Sequence, residues 1–151
     1  MNIILNKTRS VFYIGTFAVS VLIGGIGLAS ATTINVTLTG AKEVPPVTTS
    51  ASGIGKIEVA GDKSIRGSIT TTGIDGTAAH VHEAPAGKNG PVIITLKKTS
   101  DNVWEIPSGT SLTEAQYANY KAGDFYLNVH SVANRDGEIR GQLKGNKLSH
   151  H

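Results

Sequence analysis

Three histidines carry the chemistry this sequence can do. His80 and His82 are separated by one residue, and His130 ends the run from Asp124 to His130. On an extended backbone alternate side chains share a face, so the imidazoles of His80 and His82 stand roughly 6–7 Å apart by strand rise and can lean toward one ion. Three neutral imidazoles suit copper, with zinc as the alternative, whereas calcium selects oxygen donors. The chain has no cysteine. Disulfides, thiolate zinc sites, iron–sulfur clusters and cysteine nucleophiles are thereby excluded together. The other two histidines, His150 and His151, fall in a C-terminal tail at 147–151, with a tag remnant or an extra metal-binding pair as the alternatives.

The elements that must position these rings can be read from alternation. Phe125, Leu127 and Val129 share one face of a strand over 124–130, and Tyr126, Asn128 and His130 share the other. In the next strand, 138–144, Ile139, Gly141 and Leu143 point to the core and Glu138, Arg140 and Gln142 point away. With Ser131 to Gly137 as the hairpin loop, His130 lies across from Glu138, Asn128 from Arg140 and Tyr126 from Gln142. Those five polar partners are the residues expected to orient ligand rings by hydrogen bonding. Ala79 and Val81 face the core of a third strand, 77–83. If that strand neighbours 124–130, the three imidazoles converge beside the loop Ala84 to Gly90. The bland alternative is that each histidine is a solvated strand residue. Glu83 faces the opposite way from His82 and is not expected as a ligand.

The remaining elements are short. Ile34, Val36 and Leu38 alternate with Thr33, Asn35, Thr37 and Thr39, and further strands are expected at about 53–60, 64–71, 91–98 and 102–106. Turn-rich separators such as Asp75-Gly76 and Asn134 to Gly137 divide them. Ser111 and Glu114 have capping-box spacing, Ala115 to Lys121 fit two helical turns, and Gly123 is placed to end them. The pattern predicts an all-β fold, an antiparallel β-sandwich or Greek-key barrel of about eight strands with one short helix.

Residues 1–31 carry Lys7 and Arg9, an apolar run from Val11 to Leu28, and the small residues Ala29-Ser30-Ala31. This reads as a secretory signal peptide, with an uncleaved N-terminal anchor as the competing reading; a membrane enters only in that second case. Either way the domain, 32–146, sits outside the cytoplasm, secreted, periplasmic or at the cell surface. Of the 14 basic residues two lie in the leader, which leaves the rest of the chain nearly balanced against 11 acids. No basic nucleic-acid footprint is present.

Four separated motifs resemble the CHRD family, named from chordin: Leu38 to Val47 with its Glu43-Val44-Pro45-Pro46, Ala78 to His82, Tyr126 to Asn134, and Gly137 to Leu143. The resemblance implies an extracytoplasmic all-β domain and little biochemistry. A second resemblance concerns the site alone. His80-Val81-His82-Glu83 before a Gly-rich loop, and Asn128-Val129-His130, are similar to the copper-ligand segments of copper/zinc superoxide dismutases. That likeness implies Arg140 as an anion-guiding residue if the protein is an enzyme. The chain departs from it in having neither the cysteine pair nor a separate zinc loop, which leaves a mononuclear copper site.

No nucleophile elbow or phosphate loop occurs. Glu43 reads as a loop carboxylate accepting backbone hydrogen bonds, Trp104, Tyr117, Tyr120 and Phe125 as core or helix-docking residues, and Asn35-Val36-Thr37 as a glycosylation sequon that alternation also explains. Three functions stay open: extracytoplasmic copper handling, a superoxide-dismutase-like copper oxidoreductase, and a non-catalytic adhesion domain. A homodimer through an edge strand is a further expectation.

Overall fold

The computed structural model describes residues 31–145. The leader, the tail and the pair His150 and His151 lie outside the described residues. Nine strands form one continuous sheet: β1 (Thr32–Thr39), β2 (Ser52–Val59), β3 (Ile65–Thr72), β4 (Gly76–Glu83), β5 (Val92–Thr95), β6 (Lys97–Ser100), β7 (Val103–Glu105), β8 (Phe125–Ser131) and β9 (Ile139–Leu143). Every pairing is antiparallel, in the order β5-β4-β8-β9-β1-β2-β3-β7-β6. The sheet curls into a nearly closed barrel-like sandwich, so the fold is all-β as expected.

One expected strand is two. The run 91–98 divides at Leu96, which is 4% exposed, into β5 against β4 and β6 against β7. Its bend carries the chain from one end of the sheet order to the other, as corner strands do in sandwiches. Leu96 N still donates to Ala79 O at 2.9 Å.

Alternation builds the core. Leu38, Ile57, Ile69, Ala79, Val81, Phe125, Leu127, Val129, Ile139 and Leu143 are all fully buried. Each large member contributes about 1.5–3 kcal/mol by leaving water. Trp104 and Tyr120 join them, and Tyr120 meets Phe125 edge-on at 5.9 Å between ring centroids.

The helix α1 (Glu114–Ala122) stands where expected, but its cap does not. Thr113 is the N-cap: its hydroxyl accepts from Gln116 N, and the Gln116 side chain accepts from Thr113 N. Ser111 instead bridges Ser64 as extended chain, and buried Leu112 donates to Lys63 O at 2.9 Å. Burying Leu112 keeps the chain extended through that residue, which moves the cap from the Ser111/Glu114 pair to Thr113/Gln116. Gly123 ends the helix with φ 89°, the left-handed conformation glycine adopts without strain.

Candidate metal centre

β4 and β8 are neighbours, paired as Ala78↔His130, His80↔Asn128 and His82↔Tyr126. β8 and β9 pair as Asn128↔Arg140 and Tyr126↔Gln142. Two rows thus cross three strands on the face opposite the core, and His130 sits diagonal to His80. Diagonal neighbours on antiparallel strands lie within reach of long side chains. His80 Nδ1 is 2.9 Å from His130 Nε2, and one ring nitrogen from each of His80, His82 and His130 lies within 4.8 Å of the others. Three donors around one ion with bonds near 2.0–2.1 Å stand roughly 3.3–3.5 Å apart, so small ring movements suffice to seat one.

Two rings are held by backbone carbonyls. His130 Nδ1 is 2.7 Å from Arg135 O and His82 Nδ1 is 2.9 Å from Gly90 O. A carbonyl only accepts, so both Nδ1 atoms carry a proton, which leaves Nε2 as the nitrogen each ring can offer a metal. His82 Nε2 faces the Asn128 side-chain amide at 3.0 Å. The atom there is Oδ1, so both ring nitrogens of His82 face oxygens, and an ion taken by His82 displaces the Asn128 contact. Burial, followed by the neighbouring imidazoles of His130 and His82, pulls the His80 pKa down to about 4. Burial also holds that of His82 below its ordinary value. Both rings are uncharged at neutral pH.

The polar face is not a solvent face. Tyr126, Asn128 and Arg140 are each 2% exposed, because two loops fold over them, one running from Gly40 to Ser50 and the other from Ala84 to Pro91. Tyr126 stacks flat on His82, with centroids 4.7 Å apart and planes 7° from parallel. The Arg140 guanidinium lies over the Tyr126 ring at 3.4 Å. Its Nη1 donates to Asn89 Oδ1 and its Nη2 to Lys88 O. Gln142 donates to Ala84 O and Gly123 O, and so ties the loop to the helix end rather than to a ring. Glu138 does not meet His130 either; it accepts from Thr49 Oγ1 at 2.7 Å. Burial pushes the Glu138 pKa up, but hydrogen bonds from Ser131, Thr49 and Asn134 bring it below the ordinary carboxylate value. Glu83 faces the other way, accepting from Asn119 on the helix.

Of the eight expected site residues, the three histidines meet and Asn128 and Tyr126 touch them. Arg140 reaches them only through Tyr126 and the 84–91 loop. An anion-guiding arginine must meet solvent, and Arg140 is 2% exposed. A cleft of about 390 Å³ opens instead over His80 and His130, with Thr77, Ser131 and Arg135 in its lining.

Glu43 is the residue whose setting the sequence did not disclose. It is 6% exposed, and its Oε1 has no hydrogen-bond partner. Burial raises its pKa to about 7 against the opposing pull of the Arg140 charge. Gly137, with φ 127°, makes room for it: a Cβ there would stand 2.5 Å from Glu43 Oε1 and 2.8 Å from Asn128 Nδ2. The Glu43-Val44-Pro45-Pro46 segment was the only sequence signal, and nothing in it shows which strand face it covers.

The CHRD domain family model matches residues 34–143. The chain belongs to the CHRD family. The matched span includes all three histidines, Glu43 and both covering loops. Comparison with curated proteins and with solved structures returns no match. Among the described residues, no helix of this CHRD domain is long and apolar enough to cross a membrane.

Proposed function

We propose that this CHRD domain holds one copper ion, with zinc as the alternative, through His80, His82 and His130, and serves in extracytoplasmic metal handling. The supporting observation is the meeting of three imidazoles, two of them held through Nδ1 by backbone carbonyls. Family membership supports an extracellular domain, and the leader read at 1–31 agrees with export. The residues present fit a copper ion: three neutral nitrogen donors and no thiolate. The bound ion would supply Lewis acidity and one-electron chemistry. The chain supplies the lone pairs and fixed ring orientations and, over His82, shelter from water.

Uptake of one equivalent of Cu(II) by the metal-free protein, raising the unfolding temperature, is the expected result. The His80→Ala, His82→Ala double variant loses both effects, since a ligand that binds only the native state stabilises it by mass action. Equal uptake by the double variant rejects the site. The cleft over His80 and His130 favours a second reading, an oxidoreductase of the superoxide-dismutase type, because it gives a small molecule access to the ion. Superoxide removal by the copper-loaded protein no faster than by free copper rejects that reading.

A further inference from the structure

The 84–91 loop holds the His82 ring through Nδ1, and one residue clamps that loop. Gly90 supplies the carbonyl that accepts from His82 Nδ1, and Gly90 N donates to Tyr126 Oη at 3.2 Å. The two residues before Gly90 are the two that Arg140 grips, through Asn89 Oδ1 at 3.0 Å and Lys88 O at 2.7 Å. Asn89 also donates to Val44 O at 2.7 Å, which ties the loop to the other covering loop. The guanidinium meanwhile presses on Tyr126, whose far face is the seat of the His82 ring. Among the described residues Arg140 has no carboxylate within 4 Å, so the groups it touches are these neutral acceptors and the ring, with Glu43 acting on its charge from farther off.

We propose that Arg140 is a positioning residue for His82, which it orients from two sides: through the loop that carries the Gly90 carbonyl and through the Tyr126 ring on which the imidazole lies. The inference rests on the copper reading above. A guanidinium is required because one flat group must bridge two diverging acceptors while stacking on an aromatic face; an ammonium of the same charge does neither. Loss of the clamp lets Gly90 drift, and the His82 ring then samples several orientations. Partners that orient a ligand in this way typically contribute 10–100-fold to metal affinity.

The test compares Cu(II) affinity, by competition with a chelator, and the Cu(II) electron paramagnetic resonance spectrum in the unmodified protein, Arg140→Gln, Arg140→Lys and Asn89→Ala. Thr71→Val, a buried change remote from the site, serves as the comparison for stability alone. Affinity should fall at least tenfold in Arg140→Gln, with a spectrum showing altered nitrogen coordination. Arg140→Lys should not restore it, and Asn89→Ala should move both readouts in the same direction by less. Thr71→Val should lower the unfolding temperature and leave both readouts alone. The proposal is overturned if Arg140→Gln destabilises the protein yet keeps the parental affinity and spectrum, or if Arg140→Lys restores both. Should Arg140→Gln not fold, unchanged readouts in Asn89→Ala overturn it. Failure of the unmodified protein to take up copper removes the parent reading and this inference together, which separates the two.

Discussion

Replacing Glu43 by glutamine tests the burial argument directly. The carboxyl group has an ordinary pKa of 4.5 and is raised to about 7 in the folded protein. Between those pH values the folded state keeps a proton that the unfolded state has lost. Stability from this group is therefore complete below about pH 4.5, declines as pH rises toward 7, and stays reduced above it. The gap corresponds to roughly 3 kcal/mol, from 1.36 kcal/mol per pH unit. Glu43→Gln mimics the protonated form at every pH. The variant should match the parent at pH 4.5 and exceed it by about 2–3 kcal/mol at pH 8, or about 10 °C in unfolding temperature for a domain of this size. His80 and His82 act in the opposite sense, their depressed pKa values lowering stability as pH falls below 6.5. They are present in both proteins and cancel in the difference. Urea or thermal unfolding of metal-free protein at pH 4.5, 6, 7 and 8 supplies the measurement. A stability difference constant across that range would mean that the carboxyl titrates as if exposed, and the burial argument would be wrong.

Nuclear magnetic resonance of the metal-free protein should show the His80 ring titrating near pH 4, and a midpoint near 6.5 would contradict its desolvation by the neighbouring rings and loops. For the helix, Thr113→Ala should lower stability by about 1 kcal/mol. Ser111→Ala should change it by less than about 0.5 kcal/mol, and the reverse ranking in denaturant unfolding would return the cap to Ser111.

The face assignments were legible because β-strand periodicity is local. Phe125, Leu127 and Val129 needed only their own alternation to be placed in the core, and the pairing of Asn128 with Arg140 and Tyr126 with Gln142 followed from the loop between β8 and β9. The convergence of His80 with His130 required the adjacency of β4 and β8, which the alternation made reasonable without fixing it. What the sequence withheld was tertiary cover. Tyr126, Asn128 and Arg140 look like a wetted face until two loops distant in the chain are laid over them, and no periodicity states where a loop lands. Glu43 was hidden for the same reason. The carbonyls of Gly90 and Arg135 were hidden by another: a backbone group that orients a ring leaves no mark on residue type. Ser111 and Thr113 show a third limit, since both begin a capping-box spacing and only the burial of Leu112 chooses between them.

The single residue between β5 and β6 has a consequence for how the molecule opens. Leu96 joins the two end strands of the sheet order, each of which pairs with its near neighbour in the chain, β5 with β4 and β6 with β7. Withdrawal of Leu96 would release the Ala79 carbonyl on the strand that carries His80. Amide exchange at Leu96 would then report how often the strand of His80 and His82 loses its outer neighbour without global unfolding.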